Sequence, residues 1–158
     1  MSANPPMETA TSRWLASLLR DPETARIDWQ DGRPAMLPLG AAFDAVRMPQ
    51  ELVHAMAASS VEDAVTSTLA EILDGPVIRD PHSWFYALVP PQTTETWLSP
   101  LATVLGRGAW LGVPRVDRTA PPGVHWAVPP VQVGSLCTPP VVAELLRVGA
   151  SRLEVPCR

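Results

Sequence analysis

Residues 105–130, LGRGAWLGVPRVDRTAPPGVHWAVPP, carry the pattern on which the fold turns: two short apolar runs bracket a basic stretch punctuated by Gly and Pro. The runs 109–113 and 124–128 hold the apolar and aromatic residues that suit a pleated, half-buried surface, so each predicts a strand. The Pro, Asp and Gly between them favour turns, so the connection is expected to be long and exposed. It presents Arg115 and Arg118, with Arg107 in the preceding turn and His125 at the far end, on a loop-bearing surface.

Outward from this stretch, 93–105 places Trp97, Leu101 and Leu105 at helical spacing around Pro100, which predicts a kinked helix. The runs 77–79 and 84–89 flank the turn Asp80-Pro81-His82-Ser83 and predict a hairpin. Ser60 followed by Asp63 resembles a capping box ahead of a helix whose face is Val61, Ala64, Val65, Thr68, Leu69, Ile72 and Leu73. Gly75 and Pro76 end it. Pro49 opens another helix, with Glu51 in its first turn where negative charge suits the helix dipole, ending near Ser59.

The runs 35–39 and 42–48 read as two strands joined tightly at Gly40. Trp14, Leu15, Leu18 and Leu19 predict a short amphipathic helix, capped by Thr11 or Ser12 and stopped by Asp21-Pro22. Trp29 then falls in a polar stretch that turns at Gly32 and Pro34. Near the C-terminus, Thr138 caps and Pro139-Pro140 begin a helix through Val141, Val142, Leu145, Leu146 and Val148, stopped by Gly149. The expected fold is α+β: a largely antiparallel or mixed sheet with helices packed on it. One domain spans 11–150, between a disordered leader at 1–10 and a tail at 151–158.

Composition bounds the function. With 158 residues, 46% hydrophobic and 18% charged, the chain is long enough to bury one substantial core. Its twelve basic residues are all Arg, which reads first as codon bias in a GC-rich genome. A net charge of -4 and a pI near 5.3 disfavour generic coating of nucleic acid unless arginines gather on one face. Cys137 and Cys157 read as free thiols, no run approaches the about 20 apolar residues of a membrane span, and the expected location is cytoplasmic. No membrane partner is expected.

Motifs for chemistry are sparse. A phosphate loop of the Walker type is ruled out, because the chain has no Lys. Gly106-Arg107-Gly108 is a short Gly-rich turn that would let a phosphate approach backbone N–H groups beside Arg107, or is an ordinary tight turn. His54, His82 and His125 fall in different elements. A metal site would require the fold to gather Asp44, Asp80 and His82. Cys137 lies just before a helix cap, where the dipole would lower its pKa, or it is a small buried hydrophobe. Trp84, Tyr86, Phe85, Trp110 and Trp126 divide by alternation between two sheet faces, and the last three are expected in the core. Aromatics left exposed on a sheet would stack bases.

The order of pieces resembles the N-terminal catalytic domain of bifunctional DNA primase/polymerases, in the prim-pol branch of the archaeo-eukaryotic primase superfamily. Gly106-Arg107-Gly108-Ala109-Trp110-Leu111-Gly112-Val113-Pro114 is similar to that family's Gly-rich turn, apolar strand and Pro. His125-Trp126-Ala127-Val128-Pro129-Pro130 resembles its closing aromatic strand. The resemblance covers most of 27–148 and implies a primase/polymerase-like domain. Active members carry an Asp-x-Asp pair that binds divalent ions; here Arg47, Met48 and Pro49 stand in its place, with Asp44 alone upstream. The family's nucleotide-contacting His is replaced on 83–89 by Trp84 and Tyr86, while His82 precedes the strand.

These departures lead to a catalytically degenerate domain that acts by binding a nucleotide, a single-stranded nucleic acid or a protein partner, with no cofactor. Arg47, His82, Arg107, Arg115 and Arg118 are the candidate binding residues. The first alternative is an active nucleotidyltransferase using Mg²⁺ or Mn²⁺ on relocated carboxylates, Asp44 and Asp80. The second is a purely protein-interacting module.

Overall fold

The alternating run WFYALV forms the central strand of a computed structural model that describes residues 9–81 and 83–154. In chain order the elements are α1 (Ala10–Ala16), α2 (Pro22–Gln30), β1 (Ala35–Pro38), β2 (Asp44–Pro49), α3 (Gln50–Ala57) and α4 (Glu62–Ile72). They continue with β3 (Val77–Asp80), β4 (Trp84–Val89), the single turn α5 (Thr93–Thr96), β5 (Thr103–Leu105), β6 (Trp110–Val113), β7 (His125–Val128) and α6 (Pro139–Glu154). The fold is α+β. Five strands make an antiparallel sheet in the order β5-β2-β4-β3-β7, and β1 pairs with β6 in a separate two-stranded ribbon. Because α3 and α4 link β2 to β3 with β4 lying between the two strands, the centre is a split βαβ unit.

Alternation along the strands supplies two cores, one on each side of the sheet. Val46, Met48, Phe85, Ala87 and Val89 face the helices and pack with Val53 and Met56 of α3, Val65 and Leu69 of α4, and Val142, Leu145 and Leu146 of α6. On the other face, Ala45, Ile78, Leu88 and Trp126 lie beneath Ala35, Leu37, Leu111 and Val113 of the ribbon, with Leu15, Ala25 and Trp29 from α1 and α2. Among the described residues no helix is long and apolar enough to cross a membrane.

Several sequence expectations are corrected. Asp21-Pro22 does not only stop a helix; it starts α2, with the Asp21 side chain accepting from the Glu23 N–H and Pro22 at the first turn. The first helix is capped two or three residues earlier than expected, by Thr9 accepting from the Ser12 N–H. Both strands flanking Gly40 form, but β1 and β2 belong to different sheets, and so do β6 and β7. Residues 93–105 give one helical turn and then the edge strand β5 rather than a kinked helix.

At α4 the side-chain cap is absent; Val61 is the N-cap residue, and Ser59 Oγ accepts from its N–H at 3.0 Å. Gly149 does not stop α6, which runs on to Glu154 across the expected domain boundary at 150. Instead, Gly149 lets α6 cross α3, since a Cβ there would lie 2.2 Å from the Leu52 carbonyl oxygen. Phe85 and Trp126 are fully buried as expected, but Trp110 is 55% exposed, because it lies on the outer face of the ribbon with Met36 and Pro38. Of the leader expected at 1–10, residues 1–8 lie outside the described residues, as does Cys157, whereas Thr9 and Ala10 cap and open α1.

Candidate functional site

Register sets one row of side chains across the sheet face opposite α3, α4 and α6. Thr103 pairs with Arg47, Arg47 with Tyr86, Tyr86 with Ile78 and Ile78 with Trp126. Burial falls along this row: Trp126 and Ile78 are sealed beneath the ribbon, Tyr86 and Arg47 are half-buried, and Thr103 is exposed. The cover therefore thins toward the β2 side, and half-buried Trp84, two residues along β4 from Tyr86, shares the face.

Arg47 is held against this aromatic pair. Its guanidinium carbon lies 4.5 Å from the centroid of the Trp84 ring, a cation–π geometry, while its Nε is buried without a hydrogen-bond partner. Burial raises the Tyr86 phenol above its ordinary value; the Asp80 charge adds to that rise and the Arg47 charge opposes it. The phenol is therefore protonated at neutral pH and able to donate. A cation, an indole face and a phenol O–H on one half-open sheet surface suit a planar ring bearing an anionic group.

Asp44 and Asp80, the carboxylates of the alternative metal site, are not brought together. Asp44 pairs with Val89 and Asp80 with Trp84, five positions apart on β4. That separation is about 17 Å along the strand, and alternation puts the two on opposite faces. Asp44 is a structural anchor: it is 1% exposed, and its Oδ2 accepts from the Thr94 N–H at 3.3 Å. Burial raises its pKa, opposed by backbone N–H groups of Thr94, Thr93 and Gln92. Gly106 closes over it; a Cβ there would be 3.3 Å from each carboxylate oxygen. Among the described residues no three His, Cys, Asp or Glu side chains gather as a metal-binding group. His82 lies outside the described residues.

The candidate arginines divide into three places. Arg47 is on the sheet face. Arg107 is exposed in the β5–β6 turn, where its backbone passes so close to Gly40 that a Cβ on Gly40 would lie 2.6 Å from its Cα. Arg115 and Arg118 sit beyond the opposite end of β6, and there they share a cleft with Arg33 from the α2–β1 turn. Sequence reading missed Arg33, whose only signal was its place in the turn Gly32-Arg33-Pro34.

Behind the sheet, Arg79 is 4% exposed and binds Glu62 through Nε and Nη2, each 3.1 Å from Oε1, while stacking 4.3 Å over the Phe85 ring. His54 packs edge-on against the same ring. Burial lowers the His54 pKa, with Arg79 adding to the fall and Glu62 and Glu51 opposing it. Cys137 is sealed in the helix-side core, and burial pushes its thiol up to about 12, overriding any lowering by the helix that follows. Compared with protein-family models, with curated proteins and with solved structures, the chain matches none of them.

Proposed function

We propose that this chain is a binding domain for nucleotides or short single-stranded nucleic acid, a primase/polymerase-like domain in which binding has replaced nucleotidyl transfer. The observation that carries the reading is Arg47 stacked over Trp84 beside Tyr86, on the open part of a sheet face. A base would stack on the part of the half-buried aromatic surface left open, and a phosphate would pair with the terminal N–H groups of the Arg47 guanidinium. Arg47 stands where the resemblance places the metal-binding pair, so a fixed guanidinium would meet the phosphate charge without an ion. Fold-level analogy adds that antiparallel sheets of this kind in other proteins present aromatics to single-stranded bases.

The test is fluorescence anisotropy with a labelled twelve-residue oligo(dT), alongside calorimetry with a deoxynucleoside triphosphate. Binding weakened at least tenfold by Arg47→Ala and by Trp84→Ala is expected. One to two phosphate contacts would give a slope of log K against log salt of about -0.7 per contact. Binding that neither variant alters removes this reading. Metal-dependent primer extension abolished by Asp44→Ala would establish the nucleotidyltransferase alternative in its place.

A further inference from the structure

A cleft of about 460 Å³ opens between the α2–β1 turn and the β6–β7 loop, at the end of the ribbon away from Arg107. That volume lies within the ~300–1,000 Å³ of small-molecule sites. Arg33, Arg115 and Arg118 are among its lining residues, and among the described residues Asp117 is the one acidic residue of the lining. The sheet-face site around Arg47 shares no residue with it.

Each arginine engages described residues through a single nitrogen. Arg33 uses Nη2, 2.9 Å from Asp28 and 3.4 Å from Asp31. Arg115 uses Nε, 2.8 Å from Asp117, and Arg118 uses Nη2, donating to the Pro122 carbonyl at 2.5 Å. In all three, Nη1 and its two N–H groups remain for a ligand.

The walls are fixed by buried indoles. Trp126 Nε1 donates to the carbonyls of Pro114 and Arg115, both at 3.1 Å, and Trp29 Nε1 donates to the Val113 carbonyl at 2.9 Å. The Arg118 N–H donates to the Arg115 carbonyl at 2.9 Å, and the Trp126 N–H to the Arg118 carbonyl at 2.8 Å. The arginines therefore project from a backbone already held in place, which lowers the ordering cost of binding.

We propose that this cleft is an oligophosphate site, taking a diphosphate or triphosphate group either free or as the tail of a nucleotide. A single carboxylate offers one planar edge, which one guanidinium fork fills. Tetrahedral phosphates present several oxygen edges in different directions, which suits three guanidinium groups donating from separate positions.

Thermal unfolding and calorimetry of the full chain with pyrophosphate, dATP and deoxyadenosine test the site and distinguish its two sources. At saturation, pyrophosphate and dATP each raise the unfolding temperature by about 2–4 °C, and deoxyadenosine does not. Equal affinities for pyrophosphate and dATP point to a free oligophosphate, and tighter dATP points to a nucleotide tail. Arg115→Gln, which removes only a surface pair from the folded protein, weakens pyrophosphate about tenfold or more, and Asp117→Asn tightens it by removing the competing carboxylate. Arg115→Gln weakens pyrophosphate more than Arg47→Ala does, and Arg47→Ala weakens oligo(dT) more than Arg115→Gln does, so this site and the sheet-face site fail separately. No shift with pyrophosphate, a shift that survives Arg115→Gln, or a shift lost in Arg47→Ala overturns the proposal.

Discussion

The Arg47 guanidinium carbon lies 4.5 Å from the centroid of the Trp84 ring, although the two residues are on different strands and offset by two positions in register. Arg47 pairs directly with Tyr86, so its side chain must lean along β4 to reach the indole. That lean leaves Nε buried without a partner, a cost that stacking offsets.

The stack should be measurable in the free protein. A double-mutant cycle of Arg47→Met and Trp84→Leu, read by urea unfolding, is expected to give a coupling of about 0.5–1 kcal/mol, the range for a partly solvated cation–π pair. A coupling near zero would mean that the contact is not maintained in solution.

Asp44→Asn should be harmless at neutral pH. Burial raises the Asp44 pKa in the folded state, so the native protein holds that proton more tightly than the unfolded chain does. Its stabilising contribution is complete below the ordinary carboxyl value and is lost as pH rises through the raised one; at pH 7 the ionised group is a liability. Asn cannot ionise and still accepts from the Thr94 N–H. The variant is expected to unfold at the same temperature as the parent or higher at pH 7, with the advantage vanishing below about pH 4. A loss of several degrees at pH 7 would show that the carboxylate is needed as a charge.

How far the sequence carried the reading depended on whether a signal was local. The bounds of β4 were legible because WFYALV stands between a Pro-containing turn and Pro90-Pro91, and both of its faces meet a core. Strand pairing was not legible: Gly40 reads as a tight joint between two strands, yet its φ of +100° serves a close approach to the Arg107 backbone from another part of the chain. Asp21-Pro22 carried a start and a stop signal in the same two residues, and only burial of Ala25 and Trp29 decides for the start. At the candidate site, Arg47, Trp84 and Tyr86 were each visible. Their convergence depended on register, and the union of Arg33 with Arg115 and Arg118 depended on how the ribbon packs.

Stability should also fall on mild acidification because of His54. Burial beside Arg79 lowers its folded-state pKa, so the unfolded chain takes up the proton first, near pH 6.5. Between that value and the lowered one the unfolded state binds more protons, and stability declines as pH drops. The parent should lose unfolding free energy between pH 7.5 and 5.5, and His54→Gln should show a flatter profile. Parallel profiles would remove His54 as the cause.

Gly149→Ala sets helix propensity against packing. In an exposed helix the change would stabilise by about 1 kcal/mol, since Ala has the highest propensity and Gly among the lowest. Here the new methyl would sit 2.2 Å from the Leu52 carbonyl oxygen, a backbone atom that cannot rotate away. α6 would have to retreat from α3, loosening Val142, Leu145 and Leu146 against Val53 and Met56 in the helix-side core. Overpacking of this kind costs about 1–3 kcal/mol, so packing is expected to win and the unfolding temperature to fall by several degrees. A rise in unfolding temperature would mean that the two helices cross farther apart than 2.2 Å implies.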